Sequence, residues 1–544
     1  MLYMKKIIVL LLCLLPALLP AQNDMRYRYW VQFADKQGTP YTVNNPSVYL
    51  SQRALDRRAR LGIAIDSLDL PVNPTYVQAV AATGGTVWSV SKWLNGVVLY
   101  IVDSTGVEDM LRAMSFVDDV QFYGRGSIQR ANVWEWSYGD NPSAAEFDTL
   151  FGPEYYGRGY PNINMLNGSV LHRAGYDGEG VLVGVCDGGF PGVDTMQYFE
   201  VLRNEGRLVA TRDFVYGGTQ VFDVFSHGTE VLSTMATYLP GIYVGTAPKA
   251  SYVLCRTEDA EYETPLEEFF WAAAVEFMDS LGVDVVNASV GYTTFDDPSW
   301  DHPAVAFDGR TTPISRAAET ASSRGILVVL AAGNDGRNPG PNIGVPADSP
   351  SALTVGAVNS NGVRSVFSSY GPTADGRIKP DVMALGDDVW LINRFGKMQM
   401  DDGTSFASPI MAGMAACLVQ RYPTLGPAAW CDSIRSWGSL AENPDNMKGY
   451  GIPDFGRVSF NVGIHNLQVT NTELLIYPNP ATERLTVSGL TDNATLQVLD
   501  IYGRVVGTPS LTDGVVNVSA LKSGVYLLRA MDAGATVTVK FIKR

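Results

Sequence analysis

The sequence predicts an α/β fold, a doubly wound parallel sheet, preceded by a small α+β module and followed by a small all-β sandwich. Between residues 159 and 460, short continuous apolar runs alternate with helix-like segments, the pattern of parallel strands covered on both faces. Beyond residue 473 the chain changes to short alternating strands punctuated by glycines, the pattern of a sandwich. At 544 residues the chain is too long for one hydrophobic core and should divide into several units.

At the N-terminus, Lys5 and Lys6 precede an apolar stretch that ends at Ala21, so residues 1–21 read as a signal peptide. The stretch contains Pro16 and Pro20 and is shorter than the roughly 20 residues a spanning helix needs, and no later segment is apolar enough to cross a membrane. Residues 22–124 form the α+β module, with strands expected over 29–33, 96–102 and 119–123. Its helix, carrying Val107, Met110, Leu111 and Met114 on one face, is expected to be capped by Thr105 with Glu108 three residues on. Arg57 and Arg58 fall in another helical segment and read as its solvated face. Residues 125–158, polar and glycine-rich, read as a linker suited to proteolytic processing.

Within 159–460, residues 181–189, 251–255, 284–290, 326–330 and 352–357 are the short apolar runs expected of buried strands. Thr264-Pro265-Leu266-Glu267 opens one helix with a cap, a first-turn proline and a reciprocal Glu, and Thr312-Pro313 opens another that stops at Gly325. A helix from Ser405 to about Cys417 is apolar nearly all round and should run through the core. Cys417 and Cys431 flank the turn 422–426, where a disulfide and two buried thiols are both open; Cys186 and Cys255, on core strands, read as buried thiols.

The chemistry gathers at four places. Gly403-Thr404-Ser405 sets a serine at a helix N-terminus, where free N–H groups favour developing negative charge. A serine needs a base, and the base an orienting carboxylate. Asp187 ends the run 181–187, where open α/β sheets place their sites. His227, in Ser226-His227-Gly228-Thr229, opens a helix marked by Val231, Leu232, Met235 and Leu239; of the four histidines, His172, His302 and His465 have no comparable setting. Asn334, in Ala331-Ala332-Gly333-Asn334-Asp335-Gly336, has a side-chain amide able to donate to an oxyanion, although Asn before Asp-Gly by itself signals only a turn.

In this order of Asp, His and Ser the chain resembles the subtilisin-like serine proteases. Asn287-Ala288-Ser289-Val290-Gly291, Phe367-Ser368-Ser369-Tyr370-Gly371-Pro372, Lys379-Pro380-Asp381-Val382 and Gly449-Tyr450-Gly451 extend the likeness over roughly residues 160 to 460. Two departures stand out: Asp187 is followed by Gly-Gly where the family usually has Thr or Ser then Gly, and Met383-Ala384-Leu385-Gly386 replaces the usual Ala-Pro-Gly. The resemblance implies a triad of Asp187, His227 and Ser405, with Asn334 as oxyanion donor. It also implies pocket walls from Ser289, Val290 and Gly291 and from Ala331, Ala332 and Gly333. Their small side chains leave room for a large apolar residue, or for a basic one opposite Asp335 at the rim. The family's chemistry requires no cofactor; its fold usually binds structural calcium, for which no loop here shows an assignable ligand spacing, and no residue is assigned to a metal. The module ahead of the enzyme resembles the family's inhibitory propeptide, the alternative being an accessory domain that stays attached. Activity should fall below roughly pH 6.5 as an unperturbed His227 protonates.

The net charge of −16 argues against nucleic acid as a partner, whose phosphates require a basic surface. After a linker over 461–472, residues 473–544 carry Tyr477-Pro478-Asn479-Pro480, Tyr502-Gly503-Arg504, Gly524-Val525-Tyr526 and Val539-Lys540-Phe541-Ile542-Lys543. These resemble the C-terminal sorting domain of type IX secretion cargo. That resemblance implies a Gram-negative bacterium, the secretion machinery as a partner, and release or attachment at the cell surface after signal-peptide-dependent export; a retained binding module is the alternative. The whole reads as a secreted endopeptidase zymogen acting on protein or peptide substrates. The rival is a catalytically inactive, surface-displayed binding protein on the same fold.

Overall fold

The computed structural model describes residues 25–127, 151–458, 475–488, 494–500, 504–512, 514–532 and 535–544. The expected signal peptide, most of the 125–158 linker, the 461–472 linker, His465 and Tyr502-Gly503 lie outside the described residues.

The five expected runs and two further segments, Val382–Leu385 and Leu208–Asp213, assemble into a seven-stranded sheet in the spatial order Val382–Leu385, Leu353–Val358, Leu327–Ala331, Val285–Ala288, Leu182–Asp187, Ser251–Arg256 and Leu208–Asp213. Every neighbouring pair is parallel. Alternation along one strand shows why the runs are continuously apolar: Val183 and Val185 belong to one core and Leu182 and Cys186 to the other. The first core is filled by the helices His227–Ala236 and Thr404–Arg421, the second by Leu266–Leu281 and Pro313–Ser323. Strand order reverses beside Leu182–Asp187, so the crevice outside its carboxyl end is where such a sheet takes ligands.

Local signals set most helix ends. The Thr312 hydroxyl accepts the Ser315 N–H and caps Pro313–Ser323. Glu267 reaches back to the Thr264 N–H at 2.9 Å, but the helix starts at Leu266 with Pro265 as its cap residue, so only the Glu half of the expected box forms. Thr404–Arg421 is buried on nearly all sides and is longer at both ends than the expected span from Ser405 to Cys417. His227–Ala236 stops short of Leu239 because Thr237 is extended (φ −61°, ψ 133°); Leu239 lies in the two-residue strand Tyr238–Leu239.

The N-terminal module is a four-stranded antiparallel sheet ordered Thr86–Ser91, Gly96–Ile101, Met25–Phe33, Val117–Ser127. Alternate residues divide its two faces. Tyr29, Val31 and Phe33 pack into the module's own core, whereas Trp30, Val98 and Tyr100 join the core of the Leu266–Leu281 helix, where Trp30 stacks on Phe269 at 4.0 Å.

Two expectations are corrected and one open alternative is resolved. Thr105 is not a cap: the helix is Val107–Arg112, its cap residue is Gly106 with φ 67°, the Thr105 N–H binds Asp103 at 2.9 Å, and Glu108 pairs forward with Arg112. Arg57 and Arg58 are not a solvated face. They are 1% and 2% exposed and both bond Asp279, while Arg57 also donates to the Val283 carbonyl and Arg58 to Asp69. Their helix, Gln52–Leu61, packs against another domain, and local charge patterning carries no trace of that neighbour. The same contact explains a carboxylate in the last turn of Leu266–Leu281, where the helix dipole disfavours one: Asp279 receives Arg57, Arg58 and Lys92. Burial alone would raise its pKa, but those cations hold it down to about 2. Finally, of the two readings open for Cys417 and Cys431, the buried thiols hold and the disulfide does not form. Both are free and buried, Cys417 donating to the Thr246 carbonyl at 3.3 Å and Cys431 facing the Ser351 carbonyl at 3.9 Å. Cys186 and Cys255 are buried free thiols as expected.

The C-terminal unit contains two antiparallel sheets. One joins Leu475–Tyr477, Arg484–Ser488 and Val515–Asn517; the other joins Val505–Gly507, Thr495–Leu499, Gly524–Asp532 and Ala535–Lys543. Leu485, Val487, Leu496, Val498, Val516, Leu528 and Phe541 form its core. Leu475–Tyr477 and Val505–Gly507, three residues each, are too short to stand out by alternation.

Candidate active site

Asp187 ends a strand buried on both faces and is itself 1% exposed. One carboxylate oxygen accepts the Gly188 N–H at 2.7 Å. Both oxygens lie near Nδ1 of His227, at 2.9 and 3.0 Å, so Nδ1–H donates to the carboxylate and Nε2 is left to act as a base. His227 is the first residue of its helix, which fixes its backbone. Burial would lower the imidazole pKa, but the charge of Asp187 and its hydrogen bond outweigh that; with Glu230 and Glu258 adding to the effect, the pKa rises to about 9.

Ser405 is the second residue of the Thr404–Arg421 helix, in its first turn. Phe406, next to it, brings its ring to 5.8 Å from the His227 imidazole. Pro409 has no N–H to give the Ser405 carbonyl, and the Ser289 hydroxyl donates to that carbonyl instead, at 2.8 Å. Ser289 in turn receives Asn287 Nδ2 at 3.2 Å, and Asn287 Oδ1 receives the Ser408 hydroxyl at 2.7 Å. A buried network therefore ties the strand end at Ala288 to the first turn that carries the serine. Asn287 and Ser408 were not singled out as site residues in the sequence, because their roles arise only from this contact.

Asn334 follows the strand Leu327–Ala331. Its Oδ1 accepts two hydrogen bonds from Thr404, from the backbone N–H at 3.0 Å and from the hydroxyl at 2.9 Å. With the oxygen occupied, Nδ2 is the end free to donate. Thr404 Oγ1 also accepts the Gly333 N–H at 3.1 Å, so one threonine holds both the amide and the loop before it. Nothing in residue type distinguished Thr404 from its neighbours in the sequence.

A cavity of about 180 Å³ opens at this point. Ser289, Val290 and Gly291 line it together with Ala331, Ala332 and Gly333, and Asn334, Thr404 and Ser405 also contribute. Thr293, Asp335, Gly344, Val345 and Ala347 complete the lining. The 344–347 segment lies in a loop that the sequence patterns had not connected with the pocket. Among the described residues, Asp387, Asp388 and Asp402 are the one group whose acidic oxygens lie within 4.8 Å of one another, an oxygen set of the kind hard cations use; two of the three are exposed.

Residues 178–451 match the model of the subtilase family, residues 28–135 that of the peptidase S8 propeptide domain of Bacteroidota, and residues 475–544 that of the secretion system C-terminal sorting domain. Subtilisin NAT of Bacillus subtilis subsp. natto is 31% identical over 307 residues, covering 56% of this chain and 72% of its own. Subtilisin DY of Bacillus licheniformis is 32% identical over 270 residues, covering 48% of this chain and 85% of its own. A crystal structure of a cold-adapted subtilisin-like serine proteinase aligns at 25% identity with a TM-score of 0.40, covering 51% of this chain and 88% of that one.

Proposed function

This chain belongs to the subtilase family of serine peptidases, with a propeptide domain before the catalytic region and a secretion sorting domain after it, and on that premise we propose that it is an extracellular endopeptidase working through Asp187, His227 and Ser405. His227 Nε2 takes the Ser405 hydroxyl proton as Oγ attacks the peptide carbonyl, and then returns it to the leaving amine. Asp187 holds the imidazole tautomer and stabilises the imidazolium. The Asn334 amide and the Ser405 N–H receive the oxyanion. Water repeats the cycle on the acyl-enzyme.

The observation that carries this reading is the direction of Asn334. Its oxygen is held by Thr404, so its amide N–H groups are free in the cavity that Ser405 also lines. The small residues of the two walls, Ser289 to Gly291 and Ala331 to Gly333, support acceptance of large apolar residues before the scissile bond; Asp335 in the same lining is the feature that would favour a basic one. No metal enters the chemistry, and structural calcium has no assigned ligands.

The sorting domain makes the protein a secreted or cell-surface one. We assign residues 1–21 to a signal peptide, 22–124 to the propeptide, 125–158 to a linker with the processing site, 159–460 to the catalytic domain, 461–472 to a linker and 473–544 to the sorting domain. Export would follow the type IX route of a Gram-negative bacterium, the sorting domain engaging that machinery.

The test is labelling of secreted protein with a fluorophosphonate, beside Ser405→Ala, while casein cleavage and chain size are followed together. Labelling at Ser405 with loss of the propeptide is expected. In subtilisin itself, loss of the nucleophile lowers turnover by roughly 10⁶, and a comparable fall is expected here. A folded, exported protein that takes no label would overturn the assignment.

A further inference from the structure

The glycine after Asp187 has a specific neighbour. A β-carbon on Gly188 would lie 2.1 Å from Cδ1 of Phe225, so no side chain fits at 188 while that ring is in place. Phe225 holds φ at 50°, a left-handed conformation that a bulky residue seldom adopts. Core packing does not account for it, since Phe225 is 49% exposed. Its ring centroid is 6.4 Å from the His227 imidazole, and Asp187, bonded to both Gly188 and His227, is 1% exposed. Behind the turn, Arg256 donates Nε to the Gly188 carbonyl at 2.8 Å and reaches Asp213 and Asp223, which fixes the backbone on which the ring rests.

We propose that Phe225 is a positioning residue for the proteolytic reaction: seated on Gly188, its ring closes the solvent side of the Asp187–His227 pair in place of a side chain at position 188. A strained, half-exposed aromatic beside a part-buried ion pair acts on that pair's environment. By excluding water it keeps the local dielectric low, and the hold of Asp187 on the imidazole strong. The other charged groups facing His227 are Glu230, one turn along its own helix, and Glu258, just after the strand Ser251–Arg256. Both remain when the ring is removed, so the change should report on Asp187. The proposal rests on Asp187 and His227 acting as assigned above.

The experiment compares Phe225→Ala, Phe225→Tyr, Gly188→Ser and Gly188→Ser/Phe225→Ala in the secreted, processed enzyme, with His227→Ala alongside. Phe225→Ala should lower kcat by about tenfold with little change in KM, and should move the acid limb of kcat/KM down towards the ordinary imidazole value. Phe225→Tyr keeps the ring and should behave as the wild type. Gly188→Ser should be the more damaging single change, and removing the ring in the double variant should restore most of the lost activity. Wild-type kcat and an unmoved acid limb in Phe225→Ala would overturn the role of Phe225, as would a double variant no better than Gly188→Ser. If Phe225→Ala fails to fold, Gly188→Ser alone decides, and wild-type kcat with an unmoved acid limb in that variant would overturn the seating of the ring on Gly188. Activity retained by His227→Ala would instead bring down the triad assignment itself.

Discussion

Thr404 holds Asn334 by its oxygen, through a backbone N–H at 3.0 Å and a hydroxyl at 2.9 Å. A side-chain amide offers an acceptor at one end and donors at the other, and fixing the acceptor decides where the donors are free. The residue before the candidate nucleophile therefore sets the direction of the candidate oxyanion donor. Helix start, pocket loop and oxyanion site share one threonine.

Replacing Asn334 by Leu should lower kcat by about 10² to 10³ with a small effect on KM, because the donor acts mainly once negative charge has developed. That range is the one found in subtilisin on loss of a single oxyanion donor, not one derived from this geometry. Steady-state kinetics on a peptide amide checks it, and a variant within threefold of the wild type would remove Asn334 from the mechanism.

Thr404→Val keeps the volume and the backbone N–H but deletes the hydroxyl that serves Asn334 and Gly333. A hydrogen bond of this kind is worth about 0.5–1.5 kcal/mol net, so kcat should fall by roughly 3- to 10-fold. Thr404→Ser retains the hydroxyl and should recover most of the rate. If Thr404→Ser is as impaired as Thr404→Val, the methyl group rather than the hydroxyl is responsible.

Residues acting through their neighbours in sequence were the legible ones. Asp187 at a strand end, His227 at a helix start and Ser405 in a helix first turn each stand in a segment whose pattern announces its element. Five strands of the parallel sheet were legible for the same reason, since both their faces are buried; the edge strands Leu208–Asp213, with Val209 exposed, and Val382–Leu385 were not singled out. Residues whose roles depend on distant partners were not. Thr404 and Asn334 are 70 positions apart, Ser408 and Asn287 are 121 apart, and Arg57 and Asp279 are 222 apart. Arg57 and Arg58 misled outright, because a charge on a helix reads as solvated until another domain covers it.

On the proposed triad, activity needs the neutral His227 imidazole, whose pKa is raised to about 9. The acid limb of kcat/KM should therefore have its midpoint above pH 6.5, displaced towards 9, rather than at the unperturbed value. The sign for stability is opposite. A raised pKa means that the charged pair stabilises the fold fully below about pH 6.5, and that this contribution is lost as pH rises through about 9. Activity should thus appear over the window in which thermal stability declines. An acid-limb midpoint at or below 6.5 would contradict the hold of Asp187.

The propeptide domain should stay docked in mild acid. Asp279 bonds Arg57, Arg58 and Lys92 across the contact. Burial works against its charge, but those three cations depress its pKa to about 2, so its contribution to docking is present above the ordinary carboxylate value of about 3.9 and is lost only as pH falls towards 2. Glu276 does not reverse this. It accepts the Lys92 and Trp93 N–H groups at 2.7 and 2.9 Å, and burial raises its pKa, so the docked form gains relative to the free one as pH falls. After maturation, the cleaved propeptide should co-elute with the catalytic domain at pH 7 and at pH 5. Asp279→Asn leaves two buried guanidinium groups facing a neutral amide; losing one partner of a buried pair costs about 3–5 kcal/mol, a weakening of roughly 10² to 4 × 10³ in affinity. That variant should lose co-elution at both pH values, while its mature activity is unchanged because Asp279 lies outside the candidate active site. Separation of the wild-type pieces at pH 5 would show that a group other than Asp279 governs release.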